Sequence, residues 1–336
     1  MARNMAAGGN KAVLMALGGN SILLVIKVLA YAFSGSGAML AEAVHSAADL
    51  GNQALLYLGI KQSARGPSKE HHFGFGKDRF LWALISAAGI FFLGCGVSIT
   101  HGIHSLMTHE PHESSWIVWL VLVVSLGLDG VVLRAAIKAL DAQRHGRPWW
   151  KFLRESEDTT TLAVLFEDGA ACLGVLFAML GIFLSTVFDI WWADPAAAIL
   201  IGVLLGGVAL FLGAQNRAYL LDRAVSADIQ RRILGILSAQ SSISKVLEVK
   251  TRVVSADDFS LAADIEFDGK VLSDRLLNRR DVEKAYAELK SPEDLDRLLD
   301  DHARVVVEEL GNEVDRIEKL VRDQVPAARY IQLETD

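Results

Sequence analysis

The chain has 336 residues, 52% of them hydrophobic, and a mean hydropathy of +0.32, which is too apolar for an ordinary soluble domain. Its 33 lysines and arginines against 40 acids give a net charge of -7, so no cationic footprint for nucleic acid exists. The two cysteines, Cys95 and Cys172, sit in apolar stretches; they form neither a disulfide framework nor a Cys-x-x-Cys metal motif and read as packing residues.

A helix needs roughly 20 apolar residues to cross a hydrocarbon core. Six stretches approach that length: Ala12 to Phe33, Ala38 to Ile60, Phe80 to Ser105, Trp116 to Ile137, Thr159 to Phe188 and Ala196 to Ala214. The first exceeds a signal-peptide core and lacks a small-residue cleavage site, so it is read as a retained helix. Lysine and arginine fall on alternate connections. Lys61, Arg65, Lys69, Lys77 and Arg79 follow the second span, and Lys138, Arg144, Arg147, Lys151 and Arg154 follow the fourth. The connections Ser34 to Gly37, Leu106 to Ser115 and Asp189 to Asp194 carry none. The positive-inside rule then places both termini in the cytoplasm. The expected fold is an α-helical membrane protein: a six-helix transmembrane domain over residues 1–220, followed by a cytoplasmic α+β domain over 228–336.

In that second domain Asp228 to Leu237 suits a helix and Val246 to Val254 a strand. Phe259, Leu261, Ala263, Ile265 and Phe267 alternate with polar positions, which predicts a half-buried strand ended by an Asp268-Gly269 turn. Ser291, Pro292 and Asp294 form a capping-box signature opening a long helix. Its apolar positions Leu295, Leu299, Val306, Leu310, Val314, Ile317 and Val321 predict a face buried against the sheet. Tyr330 to Leu333 suits a last strand.

An ionisable side chain inside a span costs several kcal/mol unless solvated or paired. Glu42, His45 and Asp49 lie on one face of the second span, at spacings of three and four, and Asn52 extends the stripe. The fifth span adds Glu167 and Asp168. Imidazole and carboxylates meeting at similar depth suit a borderline divalent cation, zinc first, with manganese, iron, cobalt or nickel behind it. A His-Asp pair could also merely hydrogen-bond helices together, but carboxylates on two helices repel unless a cation or proton lies between them. Asp129 in the fourth span fits either a proton path or a partnership with Lys27 or Arg134.

The second-span sequence Glu42-Ala-Val-His-Ser-Ala-Ala-Asp49 and the loop His71-His72-Phe-Gly-Phe-Gly-Lys77 resemble the cation diffusion facilitator family of metal exporters, as does the six-span layout. The resemblance covers nearly the whole chain and is nearest to the branch whose fifth helix reads Leu-Phe-Glu-Asp. It implies His45, Asp49 and Asp168 as ligands, a ferredoxin-like cytoplasmic domain and a homodimer. The family's usual second ligand pair falls on positions 164 and 168, and this chain has Val164, so a fourth ligand must come from elsewhere. Glu167 ranks first, ahead of Asn20, Glu42 or a water. It neighbours Asp168, and adjacent helical residues point about 100° apart. His71 and His72 match a region where relatives hold an accessory ion, and a plain loop role is equally open. The cytoplasmic domain has one histidine, His302, and no cysteine, so a His/Cys zinc cluster is not expected there.

The function read from these residues is transport rather than enzymatic catalysis. Zinc leaves in exchange for protons, because ligands shed protons to bind metal and the emptied site can take them back. His45 is the natural exchanger, since imidazole titrates near pH ~6.5. Export of another cation, including sodium, and a non-transporting sensor or scaffold are the alternatives. Length and the lack of a targeting segment favour a bacterial plasma membrane.

Overall fold

In lipid a backbone must satisfy its own hydrogen bonds, and long helices do this. The computed structural model describes residues 17–26, 28, 29, 32, 37–108, 116–144, 146–155, 159–278 and 281–335. Two compact units divide the chain, one running to Leu221 and taking in Ser255–Asp257, the other comprising Asp222–Val254 and Asp258–Asp336.

The first unit is helical: α1 (Leu17–Ile26), α2 (Gly37–Ser63), α3 (Asp78–Gly89), α4 (Gly96–Thr108), α5 (Trp116–Arg144), α6 (Trp149–Glu155), α7 (Thr159–Val187) and α8 (Ala193–Leu220). Among the described residues four helices are long and apolar enough to cross a membrane: Asp78–Thr108, Val118–Arg144, Thr161–Val187 and Ala193–Leu220. They coincide with the third to sixth expected spans. The first expected span falls partly outside the described residues, its described part being the short apolar helix Leu17–Ile26, and α2, though 27 residues long, carries many side chains that also lie outside them. Phe92, Val97, Leu180, Val203 and Leu210 point outward, as lipid-solvated side chains do.

The third span is not uniform. A π-helical segment, Ile90–Cys95, joins α3 to α4, an inserted residue of the kind that reorients a helix face. Beyond it α4 packs closely on α8 through small residues. A Cβ on Gly202 would lie 2.6 Å from Ile99 Cγ1 and 3.1 Å from the Ile99 backbone nitrogen, while one on Gly206 would lie 2.9 Å from Cys95 Sγ. Gly207, next along, would meet nothing within 4 Å. Gly202→Ala is therefore expected to cost about 1–3 kcal/mol by overpacking, while Gly207→Ala costs little. Thermal unfolding in detergent distinguishes the two, and equal midpoints would refute the close-packing account.

The second unit contains α9 (Ala227–Ser238), β1 (Ile243–Val253), β2 (Phe259–Phe267), α10 (Gly269–Leu277), α11 (Val282–Ala287), α12 (Pro292–Gln324) and β3 (Ala328–Thr335). The sheet order is β1-β2-β3, with β2 antiparallel to β1 and parallel to β3. Along β2, Phe259, Leu261, Ala263 and Ile265 are buried and the residues between them are not, as the alternation requires. Ser291 caps α12, and both arms of the capping box are formed with Asp294.

Two expectations are corrected here. Asp268 does not end in a turn; its side chain accepts from the Lys270 and Val271 backbone N–H groups and opens α10. The long apolar face of α12 is not buried throughout either. Ile317 and Val321 are buried, Val306, Leu310 and Val314 half-buried, and Leu295 and Leu299 exposed. Length explains it, because 33 residues of helix extend about 50 Å and the eight-residue β3 only about 27 Å. The helix outruns the sheet that covers its C-terminal half.

Candidate metal centre

Residues four apart on a helix share a face, so His45, Asp49 and Gln53 of α2 form one stripe with Asn52 beside it. The side chains of Glu42 and His45 lie outside the described residues. From α7 come Glu167 and Asp168, buried to 7% and 3% exposure. Gln53, fully buried, donates from Nε2 to Glu167 Oε2 at 3.0 Å, joining the two helices, and the Asn52 side chain interacts with the same carboxyl. A Cβ on Gly89 of α3 would lie 2.8 Å from Asn52 Oδ1, so a side chain there would have to displace the Asn52 amide.

Carboxylate charge gathers here. Asp49 of α2 and Asp129 of α5 lie close enough for their charges to act on both Glu167 and Asp168. On the facing helices α2 and α7, three buried oxygens have no hydrogen-bond partner among the described residues: Gln53 Oε1, Glu167 Oε1 and Asp168 Oδ2. Native structures leave few buried oxygens in that state, and a cation or proton is what such a set accepts. No three described His, Cys, Asp or Glu side chains are grouped closely enough to enclose an ion by themselves.

The remaining residues singled out in the sequence are placed as follows. Asn20 is buried on α1, where its neighbour Gly19 faces Val132 of α5. Val164 is wholly buried in an apolar cluster with Leu56, Ala87, Ala136 and Leu212. His71 and His72 are exposed, the first in a tilted ring contact with Phe75 at 4.3 Å and the second bonded through a ring nitrogen to the Lys69 carbonyl at 3.0 Å. Their loop is shaped by Gly74 at φ +76° and closed by Lys77, whose Nζ donates to the Leu220 carbonyl at the end of α8. Gln53 was missed by the sequence reading. The signal was its position four residues beyond Asp49, but its role depends on a partner on another helix, Glu167.

Residues 13–221 match the family described as the cation efflux transmembrane domain. The chain is 34% identical, over 97% of its length, to the mouse mitochondrial proton-coupled zinc antiporter SLC30A9, and 33% identical over 97% to the human one. It spans 59% and 58% of those relatives' own lengths. Metal tolerance protein C4 of Arabidopsis thaliana is 33% identical over 96% of this chain and 73% of its own. These relatives overturn the expectation of a bacterial plasma membrane, since two are named as mitochondrial antiporters of animals and the third is a plant protein. Length carries no physical information about compartment, and the positive-inside rule orders the sides of a membrane without naming them.

Proposed function

We propose that this chain, which belongs to the cation efflux family, exports a divalent cation, zinc first, in exchange for protons. The observation that carries this reading is the set of three unpartnered buried oxygens on α2 and α7, lying under the charges of Asp49 and Asp129. The names of the mitochondrial relatives support zinc as cargo and protons as counter-ion. Manganese, iron, cobalt and nickel are secondary substrates by ligand chemistry. Six spans embed residues 1–220, and residues 228–336 form the domain outside the bilayer. The family resemblance supports a homodimer.

His45, Asp49, Asp168 and Glu167 hold the ion once the three carboxylates are drawn closer than they lie in this structure, giving one imidazole and three carboxylates, a donor set that suits zinc. Asp129, whose charge acts on both α7 carboxyls, is accessory and fits a proton path. Glu42, Asn20, His71 and His72 remain accessory. Neutralisation drives the exchange: with cargo bound the carboxylates are balanced by the metal, and with cargo released they are balanced by protons. Alternating access then needs only a rearrangement of packed helices around a fixed site.

The test uses purified full-length protein in liposomes with an internal zinc-sensitive dye and a pH gradient. Zinc flux should require the gradient and be lost in Asp49→Ala. Flux that ignores the gradient refutes proton exchange, and flux unchanged in Asp49→Ala refutes the ligand assignment.

A further inference from the structure

Glu167 and Asp168 are sequence neighbours, so their side chains leave α7 about 100° apart. For both to serve one ion, something must turn one of them. The structure contains such a device. Gln53 is fully buried on the α2 face that carries His45 and Asp49, and its Nε2 holds Glu167 Oε2 at 3.0 Å. The hold draws the Glu167 carboxyl toward α2 and consumes one of its oxygens. The other, Oε1, is left buried with no hydrogen-bond partner, as are Oδ2 of Asp168 and Oε1 of Gln53 itself. Asn52 interacts with the same carboxyl, and its Oδ1 lies beside Gly89 of α3, where a Cβ would come within 2.8 Å of it.

We propose that Gln53 is a positioning residue, anchoring one oxygen of Glu167 so that the other is offered to the transported cation. The inference rests on the ligand reading above and deepens it. A group that orients a metal-binding carboxylate fixes its direction before the ion arrives, and losing such a partner weakens metal binding by roughly 10–100-fold. The amide suits the task, because it donates to a carboxylate without adding charge to a site already rich in it.

The experiment is a competitive chelator titration of zinc into purified full-length protein, comparing the unsubstituted chain with Gln53→Met, Glu167→Ala and the double variant. Methionine keeps the length and bulk of glutamine and removes the donor. Gln53→Met should weaken zinc binding by roughly 10–100-fold alone and add less than about 2-fold in the Glu167→Ala background. If the methionine variant does not assemble, Gln53→Asn, one methylene short, should show a smaller shift that likewise disappears without Glu167. Unchanged zinc affinity in Gln53→Met, or an equal loss in both backgrounds, overturns the proposal while leaving the ligand reading intact. An unsubstituted chain that binds no zinc overturns both.

Discussion

Asp168→Asn is expected to abolish gradient-driven zinc flux, by on the order of 100-fold or more, without lowering the stability of the metal-free protein. The two effects have one cause. Asp168 is buried to 3% exposure within reach of the charges of Asp129 and Asp49, and its Oδ2 has no partner among the described residues. A carboxylate so placed raises the energy of the empty fold, and an isosteric amide relieves that repulsion while removing the charge the cation needs. A residue that merely tied helices together would behave oppositely, since its loss would destabilise the bundle. Thermal unfolding with and without zinc supplies a second readout. At a zinc concentration 100 times its dissociation constant, the unsubstituted protein should gain about 2.7 kcal/mol, and the variant nearly nothing. Wild-type flux in Asp168→Asn would remove this residue from the ligand set, and a marked loss of metal-free stability would assign it a structural role.

What could be read from the sequence follows from how local each cause is. α7 and α8 were legible because a long apolar run has few alternatives in lipid. The strand over Phe259–Phe267 and the start of α12 at Pro292 were legible because a two-residue alternation and a capping box are complete within a few residues. Elements whose causes lie elsewhere in the fold were not. The short helix Trp149–Glu155 is held by Arg144 over the Trp149 ring and Arg147 over Phe152, contacts that appear only once α5 has ended. No periodicity announces the π segment Ile90–Cys95, and Asp268 can begin a turn or a helix until its partners at Lys270 and Val271 are known. At the candidate site the charged residues were visible because a charge in a span is anomalous on its own. Gln53 gained meaning only when α2 was laid beside Glu167.

Glu313→Ala should be the most damaging single change in the C-terminal unit. Glu313 is buried to 3% exposure on α12 and joins three segments. Arg316 grips it with a fork, Nε to Oε2 at 2.8 Å and Nη2 to Oε1 at 2.9 Å; Arg275 of α10 reaches Oε2 at 2.9 Å; and Ser242, before β1, donates to Oε1. Burial alone would push the carboxyl up, but the Arg316 guanidinium, with help from Ser242 and Arg275, holds it down at about 2. Since the folded value lies below the ordinary carboxylate value of about 4.3, the stabilisation is fully present above that pH. It is lost as pH falls from about 4.3 through 2. The shift corresponds to about 3 kcal/mol at neutral pH. Removing the side chain also leaves Ser242 buried without its acceptor and two guanidinium groups without their shared anion. At pH 7 the full-length variant should lose roughly 10 °C or more from the transition of this unit. Hydrogen exchange of β1 and β2 amides in the full-length chain would follow it. The difference between variant and wild type should narrow as pH is lowered from 5 toward 2, because protonation then removes from the native protein what the substitution removes outright. A difference that stays constant over that range would mean that Glu313 acts through packing alone and that its charge contributes nothing.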